Sequence, residues 1–169
     1  MIEGQRGFFK PRYFVPYDTT PNHLSYYTTD KLRETLERYC DLKLVNDVNR
    51  MKVSVSAVNV RNGNFAIFSN ENEELHYDHF IASGALPPGF PAVEIDGEYY
   101  WDGGLVSNTP LNEILSHEEH LKQLIFQVDL WNAKGTVPEN MMEIDERIKD
   151  IQYSSKTRMV TDFMAQKLR

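Results

Sequence analysis

Ala82-Ser-Gly-Ala-Leu-Pro-Pro-Gly-Phe-Pro91, followed by Tyr100-Trp-Asp-Gly-Gly-Leu-Val-Ser-Asn-Thr-Pro110, is the stretch that decides the fold. Trp101 ends a short apolar run and leads straight into Asp102-Gly103-Gly104, where a strand must break into a loop. Two consecutive glycines let the backbone turn sharply and approach another group closely. An aspartate at the carboxyl end of a strand stands where open α/β sheets bind their ligands. Local chemistry alone leaves two readings open. Asp102 either caps a turn, with the glycines as punctuation, or presents a carboxylate to a substrate.

Working outward, the tripeptides gain weight from their order. Ala82-Ser83-Gly84-Ala85-Leu86-Pro87 precedes Phe90-Pro91, then comes Asp102-Gly103-Gly104, then Asn108-Thr109-Pro110. This ordered set resembles the second signature block of patatin-like phospholipases, and Gly7-Phe8-Phe9-Lys10-Pro11-Arg12 is similar to a segment in a bacterial branch of that family. The resemblance implies a layered α/β fold and a Ser–Asp dyad without histidine. It maps the family's catalytic aspartate onto Asp102, with Gly103, Gly104 and Asn108 as the supporting motif. It implies a lipid or ester substrate and no cofactor or metal, and the acidic total leaves contact with a membrane surface open. The substrate-binding residues stay unassigned.

The nucleophile is the difficulty. A Gly-x-Ser-x-Gly elbow needs two glycines four apart. The glycines stand at 4, 7, 63, 84, 89, 97, 103, 104 and 135, and no two differ by four. Ser83, flanked by Ala82 and Gly84, and Ser107 therefore lack elbows, and Ser83 reads as a packing residue of the loop. A Walker loop and a dinucleotide fingerprint are likewise missing. His117-Glu-Glu-His120 spaces its histidines at i and i+3, not the i and i+4 of a metalloprotease helix, and reads as a solvated helix end.

The local patterns fill in the rest. Pro11, Pro16 and Pro21 make residues 1–29 an irregular, cap-like segment. Thr29 or Asp30 opens a helix through about Cys40, with Leu32, Leu36 and Tyr39 on its apolar stripe. Residues 51–60 alternate as a strand, Asn62-Gly63 supplies the two left-handed residues of a tight turn, and 65–68 return. Residues 76–82 form a short helix ended by Gly84. Val93–Ile95 and Glu98–Trp101 make a second hairpin across Asp96-Gly97. Thr109-Pro110 starts a helix, residues 124–130 read as a strand covered on both faces, and 139–169 as one or two helices with Met141, Ile144, Ile148 and Ile151 on one face.

The expected architecture is thus α/β, a mixed sheet with flanking helices. Residues 51–130 form its strand-rich core, and 1–169 form the C-terminal portion of one patatin-like domain. The chain reads as part of a longer acyl hydrolase, inactive alone, whose newly exposed faces favour self-association. The other reading is a non-catalytic binding or assembly protein. The formal net charge of −7, with 18 Lys and Arg against 25 Asp and Glu, argues against nucleic acid. A single cysteine, Cys40, and a first segment without an apolar signal core favour the cytoplasm.

Overall fold

Proline fixes φ and supplies no N–H, so the start of the chain builds little regular structure. The computed structural model describes residues 4–13, 20–107, 124, 126–128 and 130–167. The chain divides into two compact units, Met1–Val106 and Ser107–Arg169. In the first, β1 (Lys10–Pro11) and β2 (Tyr27–Thr28) pair antiparallel, a small ladder inside a segment expected to be wholly irregular. The N–H groups of Tyr26 and Tyr27 donate to the carbonyls of Pro88 and Gly89 at 3.1 and 2.9 Å. Phe9, Tyr27 and Phe90 pack ring to ring, with centroids 4.8 to 6.1 Å apart. The aromatic start of the chain is thereby fastened to the Pro-rich loop that precedes Asp102.

Helix α1 (Asp30–Tyr39) begins where expected, although the Thr29 side chain makes no cap hydrogen bond. Tyr39 is 74% exposed, so it leaves the apolar stripe. It is the last helical residue, with the Arg38 guanidinium 5.2 Å from its ring. A short α2 (Leu42–Val45) is capped by Asp41, whose carboxylate accepts from the Lys43 N–H.

β3 (Ser54–Asn59) and β4 (Phe65–Ser69) form the first hairpin, running from Ser54 opposite Ser69 to Val58 opposite Phe65. Its turn is wider than the expected two-residue one. The Asn59 side-chain oxygen accepts from the N–H groups of Arg61 and Asn62, and its backbone carbonyl accepts from the Gly63 N–H at 2.9 Å. Gly63 alone takes a left-handed φ of 72° there, and Asn62 does not. Helix α3 (Tyr77–Ser83) follows and ends at Gly84 with φ −114°, so this glycine is not a left-handed cap. β5 (Val93–Ile95) and β6 (Glu98–Asp102) are joined by Asp96 and Gly97 at φ 51° and 81°, both left-handed as a two-residue hairpin requires.

The strands lie in the order β4-β3-β6-β5, and every described pairing is antiparallel. Two hairpins are therefore zipped together along β3 and β6, and α3 packs on one face. Period-two alternation sends Val53, Val55 and Ala57 to that face, where Ala57, Phe68, Leu75, Ala82 and Ile95 form the buried core. This α/β layering, antiparallel sheet with flanking helices, is the expected class.

In the second unit, α4 (Met141–Lys167) is one continuous helix. Asn140 caps it by accepting from the Glu143 N–H, while the Glu143 carboxylate reaches back to the Glu139 N–H. Trp131 stacks on Tyr153 at 4.8 Å, and Tyr153, Ser154 and Thr157 are buried. The helix forms as the spacing of Ile144, Ile148 and Ile151 predicts, and these three residues are exposed. Residues 124, 126–128 and 130 are not in a strand, and Leu124, Phe126, Val128 and Leu130 are each at least 80% exposed. A covered strand needs a neighbour on each edge, and among the described residues no strand pairs with this stretch. The helix expected from Thr109, Asn108 before it, and His117 and His120 lie outside the described residues.

Candidate functional site

Asp102 is the final residue of β6, and three neighbours fix it. Opposite stands Ala57 of β3, the most buried position of the central strand, so the carboxylate is carried on a rigid element. Its own N–H donates to the Ala85 carbonyl at 3.1 Å, which ties the Ala82–Pro91 segment to the end of the strand. Its Oδ1 accepts from the Gly104 N–H at 2.7 Å and caps a 3₁₀ turn over Gly103–Leu105. Asp102 thus caps a turn, the first of the two readings. No other described residue donates to the carboxylate.

Two effects oppose each other on its acidity. Burial disfavours the charged form and raises the pKa above the ordinary carboxylate value, while the Gly104 hydrogen bond favours the charge and lowers it; burial is the larger. The result is a carboxylate more basic than a free one.

The glycines earn their places differently. A Cβ on Gly103 would stand 2.4 Å from Ser56 Oγ and 2.8 Å from the Ser56 carbonyl carbon and oxygen. Part of that clash is with strand backbone, which cannot move aside cheaply, so Gly103 is required by the close approach of β3. Ser56 was not legible as part of the site, since only pairing across β3 and β6 brings it under the motif. Its small side chain on the far side of the alternation is the one hint. We expect Gly103→Ala to destabilise the protein by about 1–3 kcal/mol, the usual cost of overpacking. Gly84→Ala serves as the control, because a Cβ there meets nothing within 4 Å and φ is already negative. Urea denaturation of both variants checks this; an unchanged midpoint for Gly103→Ala would show that the turn is not held against β3.

The remaining candidates separate. Ser83 ends α3 and is half-buried, and Ser107 is half-buried beyond the turn. Among the described residues no group of three His, Cys, Asp or Glu side chains is arranged to hold a metal ion, and no helix is long and apolar enough to cross a membrane.

No curated protein and no solved structure matches the chain. A family model does, the patatin-like phospholipase model, over residues 5–115. The match runs from the aromatic start through α3, the Pro-rich loop and the Asp102 turn, more than half of the chain. With this span and the Asp-Gly-Gly turn at the end of a central strand, the chain belongs to the patatin-like phospholipase family.

Proposed function

We propose that Asp102 is the general base of a Ser–Asp dyad in a lipid acyl hydrolase, acting on a serine that lies outside these 169 residues. Patatin-like phospholipases are lipid acyl hydrolases, and the chain's membership supports ester hydrolysis as the chemistry. The observation that carries the reading is the state of the Asp102 carboxylate: one oxygen pinned by Gly104, the other without a donor among the described residues, and burial raising its basicity. The glycine spacing supports placing the nucleophile elsewhere, on another stretch of a longer protein or on a separate chain.

In this reading Asp102 takes the proton of the serine hydroxyl as Oγ attacks the ester carbonyl. The carbonyl oxygen becomes an oxyanion, held by backbone N–H groups that also lie outside these residues. Collapse breaks the ester C–O bond, and the alcohol leaves with the proton from Asp102. Water, deprotonated by the same carboxylate, then cleaves the acyl-serine and releases the fatty acid. A carboxylate is a weak base for a serine hydroxyl, so the raised pKa favours the step.

Hydrolysis of a short p-nitrophenyl ester tests this. The 169-residue chain alone is expected to be inactive, and a protein carrying it together with a Gly-x-Ser-x-Gly segment active. Activity should rise with pH as Asp102 loses its proton, through a midpoint above the ordinary carboxylate pKa of 3.8. A protein with both segments that folds without turning over ester would favour the non-catalytic binding role instead. A pH profile flat across that range would remove Asp102 as the base.

A further inference from the structure

A continuous path of contacts joins the aromatic start of the chain to the Asp102 turn. Its far end is a tight turn in which the Gln5 N–H donates to the Phe9 carbonyl at 2.9 Å and the Phe9 N–H to the Gln5 carbonyl at 3.1 Å. The Gly7 carbonyl between them accepts from Thr35 Oγ1 of α1 at 2.6 Å. Backbone bonds hold this turn, so the half-buried Phe9 ring is not needed to form it. The ring instead stands edge-on to Tyr27 at 4.8 Å and to Phe90 at 5.5 Å.

Phe90 belongs to the Pro-rich segment, whose Pro88 and Gly89 carbonyls accept from Tyr26 and Tyr27. Within the segment the Phe90 N–H donates to the Leu86 carbonyl at 3.0 Å, which ties the ring to the buried Ala85 next to Leu86. Ala85 is where the path meets Asp102. On that edge β5 pairs with β6 only as far as Val93 opposite Tyr100, so no strand reaches Asp102 there. The Ala85 carbonyl takes the Asp102 N–H in place of a strand. A strand end held by one such bond frays when the bond opens, and the carboxylate moves with it.

We propose that Phe9 is a positioning residue for Asp102: its ring clamps Phe90, and through the Pro-rich segment it keeps the Ala85 carbonyl on the Asp102 N–H. The catalytic consequence rests on the reading of Asp102 as a general base; the mechanical link rests on the contacts alone.

The test is amide hydrogen exchange, followed by NMR, on the 169-residue chain and its Phe9→Ala variant, together with the carboxyl titration of Asp102 in both. Removing the ring forfeits two aromatic contacts, so the Asp102 amide should exchange about tenfold faster. Amides of the β3–β4 hairpin should keep their rates. The Asp102 carboxyl should titrate at lower pH in the variant, because a frayed strand end admits water and relieves the burial that raises its pKa. Phe9→Leu keeps apolar bulk without a ring and should show the same pattern at about threefold. It decides the matter if Phe9→Ala does not fold. An unchanged Asp102 amide, an unshifted carboxyl titration, or equal acceleration in the hairpin overturns the proposal. In a protein that also carries the elbow serine, Phe9→Ala should lower kcat about tenfold with KM unchanged, since misplacing a reacting group by about 1 Å costs up to about 100-fold. An unchanged kcat overturns the positioning role where Asp102→Asn abolishes turnover. Where Asp102→Asn is itself fully active, the general-base reading fails instead, and the exchange result stands apart from it.

Discussion

Asp102→Asn is expected to lower ester turnover by about 10³-fold in a protein that carries both Asp102 and the serine elbow, the loss typical of removing a general base. Asparagine keeps an oxygen for the Gly104 N–H, so the turn over Gly103–Leu105 should survive while proton acceptance is lost. The same change should stabilise the fold at neutral pH. Burial raises the Asp102 pKa, so the native state binds its proton more tightly than the unfolded chain does. That contribution is present at low pH and lost as pH rises through the folded pKa. The neutral asparagine escapes the loss. Thermal melts at pH 7 should place Asp102→Asn above the unmutated protein, with the gap closing as the pH is lowered past the Asp102 pKa. A stability gain paired with lost activity marks a residue kept for chemistry. Equal turnover in the variant would sink the assignment, and a large loss of stability would make Asp102 a structural cap only.

Leu75→Ala is expected to cost about 2–5 kcal/mol, toward the upper end of that range for a buried leucine. Leu75 is fully buried among Ala57, Phe68, Ala82 and Ile95. The Asn46 side chain holds its backbone from both sides, donating to the Leu75 carbonyl at 2.9 Å and accepting from its N–H at 2.8 Å. With the backbone clamped, the site cannot collapse into the cavity that truncation leaves. Against a usual total of roughly 5–15 kcal/mol, this is a large fraction of the stability. Urea unfolding measures it, and a cost below about 1 kcal/mol would mean that the core is not packed around Leu75.

Much of this fold is legible locally. Asp96-Gly97 requires a two-residue turn because both residues tolerate left-handed φ, and the alternation through Val53, Val55 and Ala57 names the core face of β3. Other features depend on neighbours that no window of sequence contains. Asn62-Gly63 has the same local chemistry as Asp96-Gly97, yet the Asn59 side chain captures the turn and widens it. The apolar run 124–130 and the stripe through Ile144, Ile148 and Ile151 show what these residues would bury, not what covers them.

The site divides in the same way. Asp102 is legible because an aspartate and two glycines at a strand end carry their own chemistry. The contact of Gly103 with Ser56 is not, since it arises from the pairing of β6 with β3.

The central claim is that Asp102 serves a serine outside these residues, and fluorophosphonate labelling with intact-mass and peptide analysis tests it most directly. The 169-residue chain alone should remain unlabelled. A protein that adds the Gly-x-Ser-x-Gly segment should take one label on the elbow serine, at a rate that falls in Asp102→Asn. Covalent labelling of Ser56, Ser83 or Ser107 in the isolated chain would contradict the account.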